Sequence, residues 1–190
     1  MKKERDQWDG IVRDIAKNHL VFLDESSAKT NMTRLYGRAH DGQRCDDSCP
    51  HGHWETTTML SSVKLDGSTE CVVFDGAVDK SIFCEYIDKI LSPSLQKGDV
   101  VIMDNLSSHK NNKDLEIIEG KGARVLFLPP YSPDFNPIEK MWSKIKQILR
   151  SLKARSQEEL ISAIAQALDS VTTSDAKGWF ESCVYSISQA

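Results

Sequence analysis

The sequence predicts an α/β protein, a mixed β-sheet flanked by helices. Three observations carry that expectation. Apolar runs of strand length (HLVFLD, DVVIMD and RVLFL) punctuate the chain. The strand-like segments before residue 75 follow one another through turn-rich connections, the antiparallel pattern. From residue 79 onward the order becomes helix, strand, helix, strand, helix, so the sheet must be mixed.

Taken in order, residues 1–18 are polar and read as a short helix or tail. His19–Asp24 is an apolar strand that runs into Asp24-Glu25-Ser26-Ser27, and carboxylates where a buried strand emerges can meet a ligand. Residues 33–39 (TRLYGRA) and 54–63 (WETTTMLSSV) are predicted strands, separated by a turn-rich loop over 41–47. Asp66-Gly67 signals a hairpin that returns through Cys71–Phe74. Helical spacing over 79–91 places Ile82, Phe83, Tyr86, Ile87, Ile90 and Leu91 on one side. Pro93 and Gly98 mark a connection to Asp99–Asp104, a central strand that also ends in an acid. Residues 110–119 are predicted helical, Gly120–Gly122 a stop, and Arg124–Leu128 another buried strand.

The next stretch, LPPYSPDFNPIEKMWSKIK (128–146), pairs a proline-paced loop with a strongly patterned helix. Asn136 is a good N-cap, and Pro137 at the first helical position loses no needed hydrogen bond. Ile138, Met141, Trp142, Ile145, Ile148, Leu149 and Leu152 define a buried face. Glu139 falls on its flank, in a stripe with Ser143, Lys146 and Arg150. Asn136-x-x-Glu139 also reads as a capping box, a purely structural alternative. Residues 157–170 and 174–186 are predicted terminal helices.

At 190 residues with 39% hydrophobic and 27% charged content, the chain fits one domain over 1–190, with a tail or helix at about 1–18 and terminal helices over 156–190. MKKERDQWDG lacks the apolar run of a secretory signal, and no stretch has the ~18 apolar residues of a membrane span. A cytoplasmic protein is expected. The net charge of −4 argues against a nucleic-acid partner in bulk, but its distribution does not. Lys140, Lys144, Lys146, Arg150, Lys153 and Arg155 form a strip free of acids, and Lys29, Arg34, Arg38 and Arg44 form a second basic patch. Such a strip is either a solvated helix face or a phosphate contact. The five cysteines are an odd set, so reduced thiols are expected. Cys45, Cys49, His51 and His53 resemble zinc-ligand material, although a hairpin loop explains them as well.

Asp24, Asp104 and Glu139 each close or open a separate predicted element. Mg²⁺ takes carboxylate oxygens, and two-metal sites clamp both attacking and leaving oxygens in phosphoryl transfer. Spacing alone leaves open whether the three acids converge.

VFLDE, VVIMDNLSSHK and LPPYSPDFNPIEKMWSKIK resemble the three catalytic blocks of mariner-superfamily transposases, in their bacterial insertion-sequence branch. The similarity also takes in TNMTRLYGRA and GHWETTT, and 34 residues separate Asp104 from Glu139, the spacing of the Asp-Asp-34-Glu type. The resemblance implies an RNase H-like fold with a five-stranded sheet whose first strands are antiparallel. It implies Asp24, Asp104 and Glu139 as catalytic metal ligands for Mg²⁺, with Mn²⁺ as substitute and two ions in the site. Asn105 would orient Asp104, and His109 would lie near the site or contact DNA. Tyr131, Pro133, Asn136 and Pro137 would fix the loop that aims Glu139. Ser143, Lys144, Lys146 and Arg150 would stand close to the DNA. The implied activity is cleavage at terminal inverted repeats and strand transfer into target DNA at TA sites, by a homodimer working at the bacterial nucleoid. The helix-turn-helix region usual in the family has no counterpart in the sequence, so a separately encoded DNA-binding subunit is a further expected partner. The alternatives are a non-catalytic transposase partner or relic, another RNase H-like nuclease such as a resolvase, and a zinc-stabilised binding module.

Overall fold

The computed structural model describes residues 2–105 and 112–185. Its centre is a five-stranded sheet built from β1 (Leu20–Lys29), β2 (Thr56–Lys64), β3 (Thr69–Asp75), β4 (Val100–Met103) and β5 (Arg124–Phe127). The spatial order is β3-β2-β1-β4-β5. The first three strands form an antiparallel meander, and β4 and β5 add parallel to the other side of β1. β1 is therefore shared by both halves.

Period-two alternation sorts the core into two layers. Leu20 and Phe22 of β1, with Val100 and Ile102 of β4, face one layer. That layer is covered by α1 (Lys2–Arg13), α4 (Pro137–Leu152), α5 (Gln157–Asp169) and α6 (Thr173–Ser182). Val21, Leu23, Val101 and Met103 face the other, beneath α2 (Lys80–Tyr86) and α3 (Asn112–Gly120). Phe22 meets Phe180 edge-on at 5.2 Å and Tyr185 at 5.0 Å, an aromatic cluster under the middle of the sheet. Among the described residues no helix is long and apolar enough to cross a membrane.

Local chemistry explains most element boundaries. Asp79 caps α2, its carboxylate accepting from the backbone N–H of Ser81 and Ile82 at 2.8 Å each. The helix expected over 79–91 is interrupted, becoming a π-type turn over Ile87–Leu91. α5 and α6 each open with a capping box, Ser156 with Glu159 and Thr172 with Asp175. α4 buries Ile138, Met141, Trp142, Ile145 and Leu149 of the predicted stripe and ends at left-handed Lys153; Ile148 is only partly buried and Leu152, in the last turn, is exposed.

Three expectations need correction. Residues 33–39 form no strand, because both partners of β2 are already supplied by β1 and β3. Leu35 and Tyr36 have no second apolar layer to enter and stand 78% and 90% exposed. The first strand does not end at Asp24; its polar second half continues to Lys29, paired with β2 down to Thr56. β5 is a half-buried edge strand rather than a fully buried one.

The hairpin turn between β2 and β3 docks on the start of α6, where Thr173 Oγ donates to the Asp66 carbonyl at 2.6 Å. Gly67 has φ +88, and a Cβ there would meet the Thr172 carbonyl carbon at 2.9 Å. Gly67→Ala is expected to destabilise the fold by about 2 kcal/mol, through left-handed strain and displacement of backbone. Chemical denaturation checks this; an unchanged midpoint would show that the turn is free to move away from α6.

Candidate active site

The parallel pairing of β1 with β4 stops at Phe22 opposite Ile102. Two residues further along each strand come Asp24 and Asp104. Alternation turns both toward the layer that holds α4, since they follow Phe22 and Ile102 by one full period. They stand just beyond the carboxyl end of the parallel β1–β4 pairing, the side on which open α/β sheets bind ligands. β1 continues past Asp24 with β2 alone, so Asp24 lies beside a step in the sheet.

The third acid arrives from the loop after β5. Leu128 is tied to β4 by its N–H on the Met103 carbonyl at 2.9 Å. Pro129 and Pro130 then carry the chain outward to Tyr131, and one 3₁₀ turn over Pro133–Phe135 brings it back. Asn136 precedes α4, but its side chain makes no capping hydrogen bond. Instead Asn136 Nδ2 donates to Asp24 Oδ2 at 3.4 Å, which excludes the capping-box reading. Glu139 follows in the first turn of α4, with its N–H on the Asn136 carbonyl at 3.1 Å. Asp24, Asp104, Asn105, Asn136 and Glu139 together line one pocket of about 510 Å³, walled by Leu128–Pro133.

Burial is the largest influence on Asp24 and pushes its carboxyl up to about 7. The N–H of Glu25, donating to Asp24 Oδ1 at 2.8 Å, works against this. The nearby carboxylates of Glu139, Asp104 and Glu25 reinforce the rise. Nearby like charges raise the cost of ionising Asp24, and a bound cation would offset it.

Sequence reasoning missed Arg5, which lies more than 120 residues away along the chain and carries no local signal. Its guanidinium donates to the Tyr131 carbonyl at 3.3 Å, to Ser132 Oγ at 2.8 Å, and to both oxygens of Asp134 at 2.9 and 2.6 Å. It also lies 4.6 Å from the centre of the Phe135 ring. Behind it, Trp8 Nε1 donates to the Tyr185 hydroxyl, which donates to the Phe135 carbonyl at 2.7 Å. The N-terminal helix thus holds the loop that delivers Asn136 and Glu139.

A family model described as DDE superfamily endonuclease matches residues 19–161. This chain belongs to that superfamily. The Tcb1 transposase of Caenorhabditis briggsae is 23% identical over 100 residues, covering 50% of this chain and 37% of that protein. Among solved structures, the Mos1 mariner paired-end complex with Mn superposes with a TM-score of 0.75 at 16% identity, covering 96% of this chain and 57% of that one. The Mos1 paired-end complex with the left transposon end gives 0.74 at 15% identity, with 96% and 57% covered. The isolated catalytic domain of Mos1 gives 0.64 at 12% identity, with 96% and 85% covered. The fold is RNase H-like and that of a transposase catalytic domain. The DDE chain spans little over half the length of the full Mos1 chains it matches.

The pocket of this DDE superfamily member suits a hard divalent cation. Its donors are carboxylate oxygens, and the buried Asn136 Oδ1 has no hydrogen-bond partner. Among the described residues no three His, Cys, Asp or Glu side chains close into a cage.

The remaining expected residues are scattered. Asn105 is exposed at the pocket wall, and His109 lies outside the described residues. Ser143 is exposed on α4, and Lys146 and Arg150 are half-buried on the same helix. Lys144 is engaged elsewhere: its ammonium contacts Asp175 at 2.6 Å and the Ser170 carbonyl at 2.7 Å, pinning the α5–α6 junction. Lys153 pairs with Asp47 at 2.6 Å, and Arg155 donates to the carbonyls of Thr30 and Met32. Half of the basic strip is therefore internal bracing. Cys45 and Cys49 are exposed free thiols, and the Cys/His loop gathers no metal cluster among the described residues.

Proposed function

We propose that this chain is the catalytic core of an insertion-sequence transposase of the mariner superfamily, Asp-Asp-34-Glu type, cutting DNA at element ends and joining the freed 3′-hydroxyls to target DNA at TA sites. The observation that supports this reading is that Asp24, Asp104 and Glu139, from three separate elements, all line one open pocket. Asp24, Asp104 and Glu139 would hold Mg²⁺, or Mn²⁺ in its place, with room for two ions and an added oxygen from Asn136. Bound there, such ions lower the pKa of water or a 3′-hydroxyl and offset charge on the phosphate.

The chain's own groups orient and select. Asn136 positions the Asp24 carboxylate, and the Arg5-braced loop sets where Glu139 enters. Lys140, Lys146 and Arg150 make no ion pair among the described residues. They are the cations of the strip left to meet phosphates, adding affinity without sequence choice. Cutting two ends calls for two copies of the chain, and a DNA-binding segment or subunit would supply recognition of the terminal repeats.

The direct test supplies purified protein with pre-cut duplex ends, supercoiled plasmid, and Mg²⁺ or Mn²⁺, and sequences the joined products. Joins concentrated at TA would support the reading. Metal-dependent nicking without any end joining would limit it to a nuclease.

Arg5→Ala is expected to slow cleavage by about 10- to 100-fold, the range seen when a group orienting a metal ligand is lost. Nicking rates with melting curves alongside check this. An unchanged rate would mean the loop keeps its shape unaided.

A further inference from the structure

We propose that Tyr131 is a nucleobase contact, its ring stacking on an unpaired base next to the scissile phosphate; this rests on the DNA-cutting function proposed above. Tyr131 walls the same pocket as the three acids, yet the residue is 87% exposed. Its neighbours Leu128 and Ser132 are buried, so the loop is packed while the ring projects. The backbone at Tyr131 is left-handed, with φ +56. Glycine is the residue that occupies this region without steric cost, and an aromatic residue there works against its own preference. The ring has no role in either core layer that would offset this.

The platform beneath the ring is rigid. Arg5 donates to the Tyr131 carbonyl and to Ser132 Oγ, and Ser132 Oγ donates to the Pro130 carbonyl at 3.3 Å. Pro130 and Pro133 restrict the backbone on either side. An aromatic ring held in a fixed position loses little freedom on binding. The phenol carries no charge, so phosphate is left to the lysines and arginine of α4, and the flat face suits a base. A base inside a duplex has both faces covered by its neighbours, whereas one at a frayed end or beside a cut has a face free. Stacking of this kind tolerates any base, so it adds affinity at the cut without reading sequence.

The test uses a short duplex carrying 2-aminopurine as an unpaired 3′-terminal base, titrated with the purified chain in Mn²⁺. Wild type and Tyr131→Phe are expected to quench the probe and to bind within about twofold of each other, since both keep the ring. Tyr131→Ala and Tyr131→Gly are expected to lose the quenching and to bind roughly 5- to 150-fold more weakly, the span that one base–aromatic stack covers. Tyr131→Gly should melt at or above the wild-type temperature, because glycine suits the left-handed backbone, and so separates a lost ring from a lost fold. Wild-type quenching and affinity in Tyr131→Gly would overturn the proposal. If wild type binds and nicks DNA in that case, this inference alone falls. If wild type neither binds nor nicks DNA, the transposase reading fails and takes this contact with it.

Discussion

Asp104→Asn and Glu139→Gln are each expected to lower metal-dependent DNA cleavage by roughly a thousandfold or more, with the fold intact. Both replacements keep size and shape and remove one negative charge. Neither residue is in either core layer: Asp104 follows the last residue of β4, and Glu139 is exposed in the first turn of α4. What is lost is an anionic oxygen donor facing the pocket. Charge stabilisation of several kcal/mol corresponds to about three powers of ten in rate. Nicking of supercoiled plasmid in Mg²⁺ and in Mn²⁺ measures the effect, with circular dichroism melts as the control for folding. A variant of either kind that cuts within about tenfold of wild type would sink the three-acid assignment.

Raising the pH from about 5 to about 8 in EDTA is expected to destabilise the protein through Asp24, and Asp24→Asn is expected to remove that slope. The sign follows from the direction of the shift. Burial, together with the charges of Glu139 and Asp104, raises this carboxyl from 3.8 to about 7, so the folded protein holds the proton more tightly than the unfolded chain. The resulting stability is complete below the unfolded value and is lost as pH rises through about 7. Its full size is on the order of 4 kcal/mol, and roughly 3 kcal/mol of it is lost between about pH 5 and about pH 8. Asp99, Asp134 and Asp175 have lowered values and act in the opposite sense. Their contribution is already complete by about pH 5, outside this window. Denaturation midpoints at several pH values, wild type against variant, give the difference directly. Parallel curves would mean that Asp24 is better solvated than its surroundings indicate.

The parts of the fold legible in the sequence are those that obey a local period. HLVFLD, DVVIMD and the apolar stripe from Ile138 to Leu149 are set by their own spacing, and the structure places them as strands and helix accordingly. The second half of β1 was not legible, because Asp24-Glu25-Ser26-Ser27 has no apolar alternation and owes its extended form to β2. TRLYGRA failed for the converse reason: it has strand-like composition, but both sides of β2 are already taken by β1 and β3. The acids were readable because they flank strong elements. Asn136 was readable as a position but not as a partner of Asp24, a contact spanning 112 residues. Arg5 and the engagement of Lys144 with Asp175 were illegible, since each depends on tertiary contacts between segments distant in sequence.

The shared strand at the middle of the sheet also bears on how the protein comes into being. β1 and β2 close through a connection of modest length, whereas β1 meets β4 across about 80 positions and Asp24 meets Asn136 across 112. Contacts that far apart carry the larger loop-closure entropy and tend to form late. The three acids therefore come together only after the meander, the parallel strands and the helix behind them have docked. A nascent or partly folded copy has the residues but not the pocket. Whatever chemistry the three acids support would be among the last properties the chain acquires.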